Sequence, residues 1–418
     1  MPTADLGLDT WWVREPGRPA IYRVAAGALV SSLGSGATAV AFGFFLYDRT
    51  GSAVWLSAWY FLSFGISGIL TPVAGWLADR FDRRRLIIWS ELAAAACSLA
   101  LIATDDPVAL VGIAFVASIV GRAGSPAFGA ALPNVVGNEE LEWANGTMGV
   151  AFNAGNLAGP IVGGALYVAA GKSVVFAFDA ATYLVAALTV VSLRMPFRAA
   201  GVEDDSLHEE PRGLLLGFRI VLRDSVLRAL LVIWALGYFS VDIVLVGELP
   251  LARALGAGAI AFGILEASWG AGSIIGSLLG RKLRKDQGAR AILAGVVGIA
   301  IGNWLIALSP WFVAVVVLGG VVAVASGLED VAGFSLIQRR SADEVRGRVL
   351  STFSTVGLMA NAIAFAMAGA IVEAFGPRAV FVFGGIASAL CVLFLRPMFR
   401  QGTNQLETGG TSDPQTSS

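Results

Sequence analysis

Apolar residues in this 418-residue chain come in blocks of about twenty, separated by short polar breaks. That is the length an α-helix needs to cross a hydrocarbon core of roughly 30 Å. Six blocks fall in the first half, over residues 21–47, 54–77, 86–103, 108–133, 143–170 and 174–195. Six more follow, over 227–246, 259–279, 291–308, 311–337, 349–374 and 379–395. The longest must tilt or run past the core. The pattern predicts an all-α integral membrane protein with twelve transmembrane helices.

Composition agrees. The chain is 56% hydrophobic and 14% charged, with a mean hydropathy of +0.74. A soluble domain carries nearer a quarter charged residues. Glycine is abundant, at 51 residues. In a bilayer small residues let helices approach closely, which replaces the missing hydrophobic drive. Loop charge sets the orientation. With the N-terminus inside, twenty-four of the 29 Lys and Arg fall on the cytoplasmic side, four fall outside, and Arg122 lies within the fourth span. Both termini are therefore expected in the cytoplasm. Residues 1–20 are polar and carry Trp11, Trp12, Arg14 and Arg18, which reads as a cytoplasmic lead-in rather than a cleaved signal.

The only long polar stretch between spans, residues 197–225, carries Glu203, Asp204, Asp205, Glu209 and Glu210. It reads as a cytoplasmic linker, too short to bury a core of its own. It separates six helices over 21–196 from six over 226–397, and a Gly-, Ser- and Thr-rich tail over 398–418 reads as disordered. Short echoes support the division. Gly75 to Arg85 after span 2 matches Gly276 to Lys285 after span 8. Gly171-Lys-Ser-Val-Val-Phe-Ala-Phe matches Gly376-Pro-Arg-Ala-Val-Phe-Val-Phe, and Leu193 to Arg198 matches Leu395 to Arg400.

Several functions are excluded or disfavoured. A net charge of −1 gives no bulk case for nucleic acid. Cys97 and Cys391 both lie in apolar segments, and the single histidine, His208, lies in a polar loop, so no metal cluster and no cofactor site is expected. No Gly-x4-Gly-Lys-Ser/Thr loop and no nucleophile–base pair can be found, which argues against an enzyme and against ATP-driven transport by this chain alone.

Two motifs then carry a resemblance. After span 2 the chain keeps Gly75, Asp79, Arg80, Arg83 and Arg84, in a run similar to the Gly-x-x-x-Asp-Arg-x-Gly-Arg-Arg loop of the major facilitator superfamily. It departs at the second Gly, where Asp82 stands, and Asp visits positive φ less freely than Gly. Asp79 at a helix end beside cations can latch two bundles through a charge pair or a helix N-terminus. The bland alternative is that the arginines only enforce topology. In span 5, Gly146, Gly155, Gly159, Pro160, Gly163 and Gly164 resemble that family's helix-5 pattern, Gly-x8-Gly-x3-Gly-Pro-x2-Gly-Gly, at every fixed position. Gly155, Gly159 and Gly163 share one helix face, and Pro160 removes a backbone hydrogen bond. Ordinary glycine packing is the competing reading.

The resemblance implies the major facilitator fold, two pseudo-symmetric six-helix bundles. The helix-5 pattern implies the drug/proton antiporter branch, which includes macrolide and enterobactin-type exporters. Stretches Glu139 to Gly146 and Glu344 to Val349 carry the same likeness. The branch also implies proton coupling by an Arg on helix 4, for which Arg122 is the match. Acids inside spans are the other coupling candidates: Glu91, Asp179, Asp242, Glu266, Glu329 and Asp330. Any single one could be a structural hydrogen-bond partner in a hydrated cavity. Glu248, Asp48 and Glu373 lie near span ends and read as structural.

The reading is a monomeric, multi-pass secondary transporter of the bacterial plasma membrane. It would export a small, moderately hydrophobic molecule by alternating access, driven by protons, with membrane lipids as its other partners. An uptake symporter or facilitator is the alternative within transport. A membrane sensor or enzyme is the alternative outside it.

Overall fold

The structure, a computed structural model, describes residues 18–70, 73, 80–136, 140–192, 212–284 and 287–399. Among the described residues all regular structure is helical. Helix α1 covers Arg18–Thr50. Helix α2 starts at Ala53–Tyr60, passes through a π-helical turn over Phe61–Ile66 and ends at Ser67–Ile69. Helices α3 and α4 are Arg83–Ile102 and Pro107–Val136. A continuous stretch, Leu141–Ser192, breaks at Gly171, where φ is 74° and ψ −179°. It therefore makes two helices, α5 over 141–170 and α6 over 172–192. The second half has α7 (Ser225–Ala254), α8 (Ala259–Gly280), α9 (Gly288–Leu308), α10 (Phe312–Arg340) and α11 (Arg346–Phe375). Helix α12, Arg378–Leu390, runs on into a 3₁₀ turn at Cys391–Phe394.

Nine of the described helical stretches are long and apolar enough to cross a membrane. The break at Gly171 turns one of them into two, and the shorter apolar helices at Ala53–Ile69 and Pro107–Arg122 supply the remaining two spans. Large apolar side chains face outward along these helices, among them Val313, Val317 and Val321 at successive turns of α10. Water would penalise such a stripe, and lipid accepts it.

The pseudo-repeat is visible in the backbone. Positive φ occurs among the described residues only at glycines, Gly51, Gly171, Gly256 and Gly376. Gly51 ends α1 as Gly256 ends α7, and Gly171 ends α5 as Gly376 ends α11. Left-handed glycines are the usual way to stop a helix tightly. The residues that follow also match in role. Lys172 Nζ donates to Thr104 O at 2.6 Å, just past α3. Arg378 Nη1 donates to Ala307 O at 2.5 Å, in the last turn of α9. Each cation neutralises the carbonyl end of a neighbouring helix.

Contacts divide the chain into two compact units, Met1–Phe42 with Ile69–Glu203, and Gly43–Gly68 with Asp204–Ser418. The junction at Glu203 falls in the polar linker, but residues 43–68 group with the second half rather than with the span 21–196. The reason is local packing within the second unit. Ser57 Oγ on α2 donates to Phe365 O on α11 and accepts from Gly369 N–H at 2.9 Å. A Cβ added to Gly369 would lie 2.8 Å from Val54 Cα, so only glycine lets the two backbones meet. Asp48, near the end of α1, pairs with Arg253, near the end of α7, and the guanidinium of Arg253 sits 4.7 Å from the Phe44 ring centroid.

The linker is not featureless. Arg212–Arg223 forms an amphipathic helix, which the polar stretch 197–225 does not announce. Its Gly217 seats against Arg348 and Thr352 of α11, and its Val221 is fully buried in the core of that unit. Asp224 then caps α7, accepting from Val226 N–H at 2.8 Å and Leu227 N–H at 3.1 Å. Arg340, the last residue of α10, donates to its other oxygen at 2.8 Å. Burial alone would raise the Asp224 carboxyl, but these hydrogen bonds outweigh it and hold the group below its ordinary value. Its contribution is therefore present above pH 3.8, the ordinary carboxyl value, and lost as pH falls through the lower folded value. Asp224→Ala should cost about 1–2 kcal/mol in detergent unfolding at neutral pH. The gap from wild type should close in acid; a gap constant with pH would contradict the assignment.

Candidate functional site

Helix α5 carries its glycines on the face that meets α1. A Cβ on Gly155 would lie 2.6 Å from Leu29 O, and one on Gly159 2.7 Å from Leu33 O. At Gly163 it would overlap the backbone of Ala37. Pro160 is buried and faces Gly36 of α1. Gly164 is buried as well, whereas a Cβ on Gly146 meets nothing within 4 Å. The pattern is thus a backbone seam over Gly155 to Gly163, with Gly164 buried next to it and Gly146 outside it.

Of the loop motif, Gly75 and Asp79 lie outside the described residues. Arg80, Arg83 and Arg84 lie inside them, and Arg84 Nη2 donates to Val191 O, at the end of α6, at 2.6 Å. Asp82 does not need glycine's freedom. Its φ is −59°, and it caps α3 by accepting from Arg85 N–H at 2.8 Å. The departure from the family pattern thus adds a helix cap and leaves the backbone unstrained.

The acids form three groups. In the first unit Asp179 on α6 is 2% exposed. It accepts from Ser98 Oγ of α3 at 2.8 Å. Glu91, two turns earlier on α3, lies close enough to feel its charge, and Tyr183 of α6 shares a 2.9 Å hydrogen bond with Ser35 of α1. Arg122 lies on α4 of the same unit and is half-buried.

The second unit holds the other two groups. Glu266 on α8 faces Glu248 on α7, beside the indole of Trp269. Glu248 is 3% exposed, so its reading as a bland span-end residue is corrected: α7 continues to Ala254 and keeps the side chain inside. Asp48 and Glu373 do behave as structural groups, the latter accepting from Ala53 N–H at the start of α2 at 2.9 Å.

The third group lines a cavity of about 180 Å³ between α7 and α10. Trp234, Tyr238 and Asp242 recur every fourth residue on one face of α7. Glu329 and Asp330 enter from α10. Asn361 of α11 donates to Asp242 Oδ2 at 3.0 Å. The sequence pointed to the three carboxylates but not to Trp234, Tyr238 or Asn361. The i, i+4, i+8 spacing back from Asp242 was the available signal.

A profile of the Major Facilitator Superfamily matches residues 24–293 and 243–414, nearly the whole chain. The chain belongs to the Major Facilitator Superfamily. As a member of that superfamily it is a multi-pass membrane transporter. It is 26% identical over 397 residues to macrolide efflux protein A of Streptococcus pyogenes, covering 91% of this chain and 96% of that one. It is 27% identical over 377 residues to the multidrug efflux pump Tap of Mycolicibacterium fortuitum, covering 85% and 90%. Among solved structures, the nucleoside transporter NupG superposes with a TM-score of 0.71 at 13% identity, over 91% of this chain and 99% of that one. That last likeness speaks for the major facilitator fold alone.

The seam on α5 gives a direct test. Gly159→Ala should destabilise the protein by about 1–3 kcal/mol, because α1 backbone has no rotamer with which to yield. Gly146→Ala should leave thermal unfolding in detergent unchanged. Equal effects at both positions would contradict the seam.

Proposed function

We propose that this chain exports a small, moderately hydrophobic molecule, of the drug, antibiotic or siderophore kind, by alternating access. The observation that carries export rather than uptake is the α5 glycine pattern, present at every fixed position and seated on the α1 backbone from Gly155 to Gly163. Similarity along most of the chain to proteins named as macrolide and multidrug efflux pumps supports the same direction. The asymmetry of loop Lys and Arg supports a plasma-membrane protein with both termini in the cytoplasm. We read it as a monomer.

Protons are the proposed driving ion. The spans hold buried or half-buried carboxylates that no cation pairs with in the described ion pairs, at Glu91, Asp179, Asp242, Glu248, Glu266 and Glu329, with the more exposed Asp330 beside Glu329. An ionised carboxylate in such a place is costly, and taking up a proton removes the cost. Each transport step that buries or exposes such a group then moves a proton with it. Arg122 is the proposed link between proton and substrate on α4, and Asp79 the proposed latch after α2.

Alternating access also requires the contact of α2 with α11 at Ser57, and the Asp48–Arg253 pair, to come apart in the other state. Little opposes the parting of the ion pair, because a half-exposed pair is worth at most about 1 kcal/mol. Proteoliposomes loaded with a fluorescent drug provide the test. Efflux should require an inward proton gradient and stop when an ionophore collapses it. Efflux undiminished by collapse would reject proton coupling. Accumulation into oriented vesicles, in the direction of uptake, would reject export.

A further inference from the structure

The linker helix Arg212–Arg223 carries three arginines and no acid. Gly217 and Val221, one turn apart, fix its inward side. The first seats against Arg348 and Thr352 of α11, and the second is buried in the core of the unit. At 3.6 residues per turn Arg219 and Arg223 fall on the outward side, and both are exposed. Leu216 and Leu222 flank them at the surface, 37% and 50% exposed. Arg228, in the first turn of α7, reaches back to the same helix. Its Nη1 donates to Leu222 O at 2.9 Å, which sets a third guanidinium beside Arg223.

Among the described residues none of these three arginines forms an ion pair. Asp224, the acid next to Arg223 in sequence, is already engaged by two N–H groups of α7 and by Arg340. Support for the carbonyl end of the linker helix accounts for Arg228. It does not account for Arg219, a full turn earlier. Nor does water reward leucines exposed between the cations. A lipid boundary suits both, because leucine enters the acyl edge while the guanidinium stays with the phosphates.

Position agrees with chemistry. Asp224 caps the start of α7, Arg340 is the last residue of α10, and Arg348 lies in the first turn of α11. The linker helix thus runs past the ends of three spans, at the level of the headgroups. Loop charge makes this the cytoplasmic end in the proposed orientation.

We propose that the outward face of the linker helix binds anionic phospholipid headgroups. Arg219, Arg223 and Arg228 hold the phosphates, a geometry that favours charge-assisted hydrogen bonds, and Leu216 and Leu222 sit in the acyl edge. The choice of leaflet rests on the proposed orientation, and the headgroup chemistry does not. The inference goes beyond export and stands or falls separately from it.

The test reads lipid composition at the helix itself. A bimane label is placed at Ser225→Cys in the full-length chain with Cys97 and Cys391 replaced, reconstituted in phosphatidylcholine nanodiscs. A chain nitroxide is carried either on phosphatidylglycerol or on phosphatidylcholine, and quenching gives the enrichment of each lipid at the label. Phosphatidylglycerol should be enriched by about fivefold for each arginine engaged. The double variant Arg219→Gln/Arg223→Gln should lose most of that enrichment, and Arg49→Gln, an exposed cation at the far end of α1, should keep it. Equal quenching by the two lipids in the parent would overturn the proposal and leave the arginines to the chain's own acids at 203–210. An enrichment untouched in the double variant would overturn it as well. The unlabelled chain gives a second measurement, free of the cysteine replacements. Adding phosphatidylglycerol to detergent micelles should raise its unfolding temperature more than it raises that of the double variant. An equal rise in both would also overturn the proposal.

Discussion

Helices in hydrocarbon gain nothing by hiding apolar side chains from one another, because lipid tails are as apolar as leucine. What holds this chain together is the close approach of helix backbones at glycine. In the first unit the seam is α5 on α1, with Gly155, Gly159 and Gly163 placed where any Cβ would strike a carbonyl or a backbone carbon. In the second unit Gly272 and Gly276 of α8 meet the backbone of Gly320 and Val324 of α10, and Gly327 of α10 meets Ser273 of α8. Gly369 lets α11 lie on α2. Such seams are dispersion contacts between smooth surfaces. They bind tightly yet contain few directional bonds that must break when helices slide or tilt, which suits a protein that has to change shape to work.

Charge is distributed by the same constraint. At helix ends it is paired or capped: Asp224 with Arg340, Asp82 on α3, Lys172 and Arg378 on the carbonyl ends of α3 and α9. In the middle of the helices none of the described carboxylates has an ion pair. Asp179 has a serine, Asp242 an asparagine, and Glu266 another acid. Stability alone would favour removing these groups. Their presence at depth is the physical argument behind the proposed proton coupling.

Much of this was legible in the amino-acid pattern. Block length gave the twelve spans, and the echo of Gly171 in Gly376 gave the repeat, because a left-handed turn needs glycine in both places. The helix-5 glycines could be assigned to one face from their spacing of four. Other features depend on tertiary distance and were not legible. The linker helix at Arg212–Arg223 hides behind an acidic stretch, since its stability comes from Val221 and Gly217 docking on the core and on α11. Residues 43–68 could not be assigned to the second unit without knowing that Ser57 meets Gly369. Glu248 was misjudged because a span end drawn at 246 falls eight residues short of the true one. Trp234 and Tyr238 carry no signal until Asp242 is known to face a cavity.

Alternating access requires the ends of α1 and α7, joined by Asp48 and Arg253, to separate once per cycle. The direct measurement is a pulsed electron–electron distance between spin labels at Thr50 and Ala254, in a background with Cys97 and Cys391 replaced. Two distance populations are predicted, with the longer one gaining weight when pH or a transported drug is changed. A single short distance under every condition would contradict the account.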